Sequence, residues 1–115
     1  MKATVRGLGV DLAETARIKA LARRSPRFLG RVFTAAELKY CGAYRDRWER
    51  LAARFAVKEA VIKALDDKKI ALSDIEVANS ASGKPSVKVK GRPGLKFMVS
   101  ISHTGGMACA AVIAF

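Results

Sequence analysis

The spacing of apolar residues changes period twice along this chain, and that alternation constrains its fold more than any other feature. Residues 4–12 alternate, with Leu8, Val10 and Leu12 on one face of a strand and Gly7, Gly9 and Asp11 on the other. The two glycines leave the space beside Asp11 free of side chains. From 15 to about 42 the period becomes helical: Ile18, Leu21 and Ala22 repeat at three and four, and Pro26 opens a second short segment. Thr34 followed by Glu37 has the form of a capping box and starts a third helix. Residues 47–66 predict the longest helix, with Trp48, Leu51, Phe55, Ile62 and Leu65 along one stripe centred on Phe55. After Asp67 the period returns to two: Ile75 and Val77, Val87 and Val89, and Phe97, Val99 and Ile101 mark three strands. Gly83-Lys84-Pro85 and Gly91-Arg92-Pro93-Gly94 separate them, and Thr104-Gly105-Gly106 turns into a last strand at 107–115. The second half reads as an antiparallel meander. The expected fold class is α+β in a single domain, 1–115, with an antiparallel β-sheet packed on one long helix and shorter N-terminal helices.

Composition narrows the function. The chain has 115 residues, half of them hydrophobic, which is enough for one core and excludes disorder. No run approaches a membrane span, and the N-terminus lacks a signal peptide's apolar stretch, so a cytoplasmic protein is expected. The two cysteines, Cys41 and Cys109, have no ligand spacing, and Cys109 reads as a small buried hydrophobe. Twenty-two Lys and Arg against ten Asp and Glu give a net charge of +12. The charge is uneven: Arg17, Lys19, Arg23, Arg24, Arg27 and Arg31 fall between Thr15 and Ala36 with no acid among them. So one-sided a stretch suggests an anionic partner: nucleic acid, a membrane surface or an acidic protein.

Five features stand out as chemistry. Asp11, beside its glycines, reads equally as a cap for the next helix or as a ligand to a cation. Glu59 falls at the edge of the long helix's apolar stripe, where a carboxylate is costly unless paired. Lys63, four residues on, offers the ordinary helix-surface pair, which explains the two charges but not their place against the core. Two separated carboxylates with a nearby Lys suit Mg²⁺ bridging phosphate oxygens. His103 continues a strand alternation and reads first as a satisfied core-edge histidine, at a strand end from which a ligand is within reach. Gly83-Lys84-Pro85 is by default a turn, and it also offers backbone N–H groups and an ammonium to a phosphate.

These pieces occur in a familiar order: Gly9-Val10-Asp11 with Arg17, Phe33-Thr34-x-x-Glu37, Arg54-Phe55-Ala56-x-Lys58-Glu59-Ala60-x-x-Lys63-Ala64-Leu65, Gly83-Lys84-Pro85 and Ser100-Ile101-Ser102-His103. Together they resemble the holo-acyl-carrier-protein synthase family, the small bacterial type of 4′-phosphopantetheinyl transferase, from about Thr4 to Phe115. The resemblance implies that family's fold and its Mg²⁺-dependent transfer of 4′-phosphopantetheine from coenzyme A to a serine of apo acyl carrier protein. It implies that Asp11 and Glu59 ligate Mg²⁺ and that Lys63 contacts the coenzyme A phosphates. His103, Arg54 and the Gly83-Lys84-Pro85 turn would hold the nucleotide, and Arg17, Arg24 and Arg27 would dock the acidic carrier protein. Glu59, or a water between it and the metal, would take the serine proton. The family is a homotrimer with active sites between subunits, so a shared site is expected. The rival readings are a basic nucleic-acid-binding module without catalysis, which leaves Asp11 and Glu59 unexplained, and a scaffold for acidic proteins.

Overall fold

The computed structural model describes residues 4–115. Residues 1–3, which open the stretch read for a leader, lie outside the described residues. The chain runs β1 (Gly7–Glu14), α1 (Thr15–Arg24), α2 (Phe28–Val32), α3 (Ala35–Gly42) and α4 (Arg47–Leu65). A 3-10 turn (Leu72–Asp74) then leads to β2 (Ile75–Asn79), β3 (Pro85–Val89), β4 (Phe97–Thr104) and β5 (Met107–Ala114).

The strands do not form one meander. β1, β5 and β4 make a three-stranded antiparallel sheet with β5 in the centre, while β2 and β3 pair separately. The period of two identifies strands but not their partners, and the turn at Gly91–Gly94 breaks the ladder between β3 and β4. Gly105 and Gly106, both at positive φ (54° and 79°), close the β4–β5 hairpin as a two-residue turn whose twist matches the strands.

Helix α4 lies across the inner face of the three-stranded sheet. That face is small: Gly7, Gly9 and Ala13 on β1, and Ala108, Ala110, Val112 and Ala114 on β5. The helix answers with Ala53, Ala56, Ala60 and Ala64, all buried. A Cβ at Gly9 would lie 1.8 Å from the carbonyl oxygen of Ala60, and one at Gly7 the same distance from that of Ala64. The glycines therefore admit the helix backbone itself, and the space beside Asp11 is filled rather than left open. The buried face of α4 accordingly runs through Ala56, Val57, Ala60, Val61 and Ala64, whereas Phe55, Ile62 and Leu65 flank it half-buried. The outer face of the sheet is bare: Leu8, Leu12 and Met98 are each more than 60% exposed, and Cys109 is only partly covered.

The capping box at α3 forms as expected. Glu37 N–H donates to Thr34 Oγ1 at 3.2 Å, and Thr34 N–H donates to Glu37 Oε1 at 2.8 Å. The same carboxylate does more than cap. Its Oε2 accepts the Val77 N–H of β2 at 2.8 Å, and Oε1 lies 2.7 Å from Lys58 Nζ of α4. Lys58, fully buried, also donates to the carbonyls of Val32, Leu72 and Ile75 at 2.8, 3.0 and 2.6 Å. Burial pushes its pKa down and Glu37 pulls it back up. One charged pair thus ties α2, α3, β2 and the 3-10 turn to the helix that carries Glu59.

Candidate active site

Asp11 and Glu59 come from β1 and α4, which pack against each other. Asp11 caps no helix: the residue that precedes α1 is Glu14, whose side chain makes no capping bond, and Asp11 sits within the strand opposite Ala110. Its Oδ1 instead accepts Lys63 Nζ at 3.2 Å, and the same ammonium donates to the Val10 carbonyl at 2.9 Å. Lys63 therefore bonds across to β1 instead of back along the helix to Glu59. Glu59 is half-buried, and its carboxyl is pushed above the ordinary value, first by burial and then by the Asp11 charge, with Lys63 and Arg17 pulling the other way. Arg17, exposed on α1, thus borders the carboxylates. No group of three His, Cys, Asp or Glu side chains suited to a metal exists among the described residues. Two carboxylates fit a hard divalent cation whose remaining positions go to substrate and water, and such an ion would relieve their mutual repulsion.

A second set of residues lines a cleft of about 390 Å³ along another edge of α4. Its walls include Asp46, which holds Arg50 Nε at 2.8 Å, with Glu49, Arg50 and Arg54 of α4, Asn79 and Pro85 of the β2–β3 hairpin with Gly83 of its turn, and Val99, Ile101 and His103 of β4. Arg54 is 5% exposed, stacked 4.7 Å from the Tyr40 ring centroid, with Nη2 donating to Asn79 Oδ1 at 2.7 Å. Among the described residues it pairs with no carboxylate, and its buried Nε has no hydrogen-bond partner. A buried guanidinium in that condition calls for an anion. His103 is exposed at the end of β4, so it is no core-edge histidine.

The Gly83-Lys84-Pro85 turn departs from expectation in one respect. The Gly83 N–H donates to the Ser80 carbonyl at 2.8 Å and the Lys84 N–H to Ser80 Oγ at 3.1 Å. Both N–H groups are spent within the turn, which leaves a ligand the exposed Lys84 ammonium. Asn79, Arg50 and Tyr40 were not legible as site residues, because each gains its place from an element distant in sequence.

The Asp11–Glu59–Lys63 cluster and the cleft share no lining residue. β1 and β4 stand on opposite edges of the sheet, two strand spacings or roughly 10 Å apart. Arg24 and Arg27 are exposed at and just beyond the end of α1, on neither set.

Fold and site together define a small α+β domain with two separate clusters of charge fit for phosphates. The family model for the 4′-phosphopantetheinyl transferase superfamily matches residues 7–112. The chain is 43% identical over 111 residues to a holo-[acyl-carrier-protein] synthase of Thermodesulfovibrio yellowstonii, covering 95% of this chain and 97% of that one. It is 47% identical over 116 residues to the enzyme of the same name from Dehalococcoides mccartyi, covering 92% and 95%. Its fold resembles a crystal structure of a holo-(acyl-carrier-protein) synthase from Bacillus anthracis in complex with CoA (3′,5′-ADP), with a TM-score of 0.84, 32% identity and 97% of each chain covered. The chain belongs to the 4′-phosphopantetheinyl transferase superfamily, in its holo-[acyl-carrier-protein] synthase branch. The reading as a nucleic-acid-binding module finds no support in these relationships.

Proposed function

We propose that this chain, as one transferase domain, moves the 4′-phosphopantetheine arm of coenzyme A to a serine hydroxyl of apo acyl carrier protein, with Mg²⁺ held by Asp11 and Glu59. The observation that carries the reading is the meeting of these two carboxylates with Lys63, where Glu59 is pushed toward the proton-binding form. In the reaction the serine oxygen bonds to the pantetheine-side phosphorus, the bond to the bridging oxygen breaks, and adenosine 3′,5′-bisphosphate leaves. Mg²⁺ would neutralise charge on the pyrophosphate oxygens. Lys63, already beside Asp11, would add its ammonium to the same phosphates. Glu59 would accept the serine proton, directly or through a water held between it and the metal.

The nucleotide would occupy the cleft, against Arg54, His103 and the Lys84 ammonium. Arg54 is the strongest argument for that assignment, since it is a buried cation with no carboxylate partner among the described residues. Arg17, Arg24 and Arg27 would receive the acidic carrier, with Arg17 nearest the carboxylates. Their charge would act mainly on the rate of encounter.

Because the two clusters stand apart on one chain, a complete site would combine the carboxylates of one protomer with the cleft of another. The bare apolar outer face of the sheet supports the homotrimer that such sharing needs, since a patch led by Leu8, Val10, Leu12 and Met98 is unusual on a monomer. No helix among the described residues is long and apolar enough to cross a membrane, and the reading places the enzyme in the cytoplasm with its two substrates.

The test is the intact mass of a purified apo acyl carrier protein incubated with this protein, coenzyme A and Mg²⁺, with and without chelator. The expected result is the gain of one phosphopantetheine group, abolished by chelator. No gain with several different carriers would overturn the reading.

A further inference from the structure

The turn that carries Lys84 has little to hold it. Residues 80–84 are all exposed, and its internal bonds shape it without fixing where it lies on the molecule. Among the described residues, the side-chain hydrogen bonds that link it to α4 run through Asn79, the last residue of β2, in register with Pro85. Asn79 Nδ2 donates to the Gly83 carbonyl at 3.0 Å while its Oδ1 accepts from Arg54 Nη2 at 2.7 Å. This orientation of the amide is forced, because a guanidinium only donates and a carbonyl only accepts. Tyr40 holds the guanidinium by stacking 4.7 Å away.

Resting on the reading that the cleft takes the nucleotide of coenzyme A, we propose that Asn79 is a positioning residue for that substrate. It locks the turn to Arg54, so that two cations on different elements, Arg54 on α4 and Lys84 on the hairpin, face one phosphorylated ligand at a fixed separation. Only a side chain with a donor and an acceptor on one short stem does this. The change Asn79→Asp would keep the bond to Arg54 and set a carboxylate oxygen against the Gly83 carbonyl, releasing the turn. Asn79 touches neither the carboxylate cluster nor the carrier-docking arginines, so its effect belongs to one substrate.

The experiment is steady-state kinetics of wild type, Asn79→Asp, Asn79→Ala, Lys84→Ala and the Asn79→Asp/Lys84→Ala double variant. KM for coenzyme A is expected to rise about tenfold in N79D, the loss of one hydrogen-bonded anchor. The carrier's KM and kcat at saturating coenzyme A should stay within about twofold. The double variant should be no weaker for coenzyme A than the worse single variant, since Asn79 acts through the turn. N79A should give the same split without a new charge. A fall in kcat with both KM values unchanged would mark a structural role and overturn the proposal, as would effects of N79D and K84A that multiply. If the wild type transfers nothing to any carrier, the underlying reading fails. Calorimetric titration with adenosine 3′,5′-bisphosphate then still decides about Asn79: weaker binding by N79D supports it, and binding equal to wild type overturns it.

Discussion

Glu59 sits where a carboxylate is poorly solvated and beside another negative charge, so its ionised form costs the fold free energy. Its folded pKa is raised above the unfolded value, so the folded state holds more protons there. The group's contribution to stability therefore falls as pH rises through the window above the ordinary carboxylate value. Glu59→Gln should raise the melting temperature of the metal-free protein by a few degrees at neutral pH. The same change should lower kcat by at least about a hundredfold. Adding Mg²⁺ should raise the melting temperature of the wild type and leave the variant unmoved. A variant less stable than wild type at neutral pH would contradict this account of the site. Lys58, its neighbour in sequence, plays the opposite part. Lys58→Met would strand the buried Glu37 carboxylate and should cost about 3–5 kcal/mol in denaturant unfolding. A loss below about 1 kcal/mol would show that the pair is dispensable. Asp11, Glu59 and Lys63 were legible in the sequence from their residue types and spacing. Their partners were less so: helical geometry offers Lys63 only neighbours on its own helix, while the structure gives it Asp11 across the strand. The Glu37–Lys58 pair was not legible either, because the capping box already accounts for Glu37 from local sequence alone.

At the scale of elements, the periods located every helix and strand to within a few residues, because each buries one face against a single core. What they could not convey was approach. A glycine on a strand face reads as vacancy, whereas Gly7 and Gly9 are the points where the α4 backbone meets the sheet. Gly9→Ala should therefore destabilise the protein by about 3 kcal/mol or more, since neither backbone can give way without moving the other. Gly30→Ala, whose Cβ would meet nothing within 4 Å, is the control and should lose little. Equal effects would show that α4 and β1 are less tightly apposed than described. The division of the strands into two sheets was hidden for a related reason: alternation specifies a strand's faces and leaves its edges open. That division matters to the site, since it frees the β2–β3 hairpin to bring Asn79 and its turn to the cleft.

For the whole molecule, the apolar outer sheet face and the separation of the two charged clusters point to the same arrangement. An apolar patch of this kind is stable in water when another copy covers it, and a cleft that lacks the Asp11–Glu59 pair becomes complete when a neighbour supplies it. Leu12→Lys, combined with Leu8→Lys, should convert the assembly to monomers in analytical ultracentrifugation while far-ultraviolet circular dichroism is retained, and transfer activity should vanish with the assembly. Persistence of the oligomer would remove this face from the interface. The shared site itself is tested most directly by complementation. Two variants, Glu59→Gln and the His103→Ala/Lys84→Ala double change, would be mixed in equal amounts, allowed to exchange subunits and assayed for phosphopantetheine transfer. Each alone is expected to be strongly impaired. In random mixed trimers about one interface in four joins an intact carboxylate set to an intact cleft, so the mixture should recover about a quarter of wild-type activity. Activity no greater than the sum of the two separate variants, in oligomers shown by native mass spectrometry to be mixed, would contradict a site built from two chains.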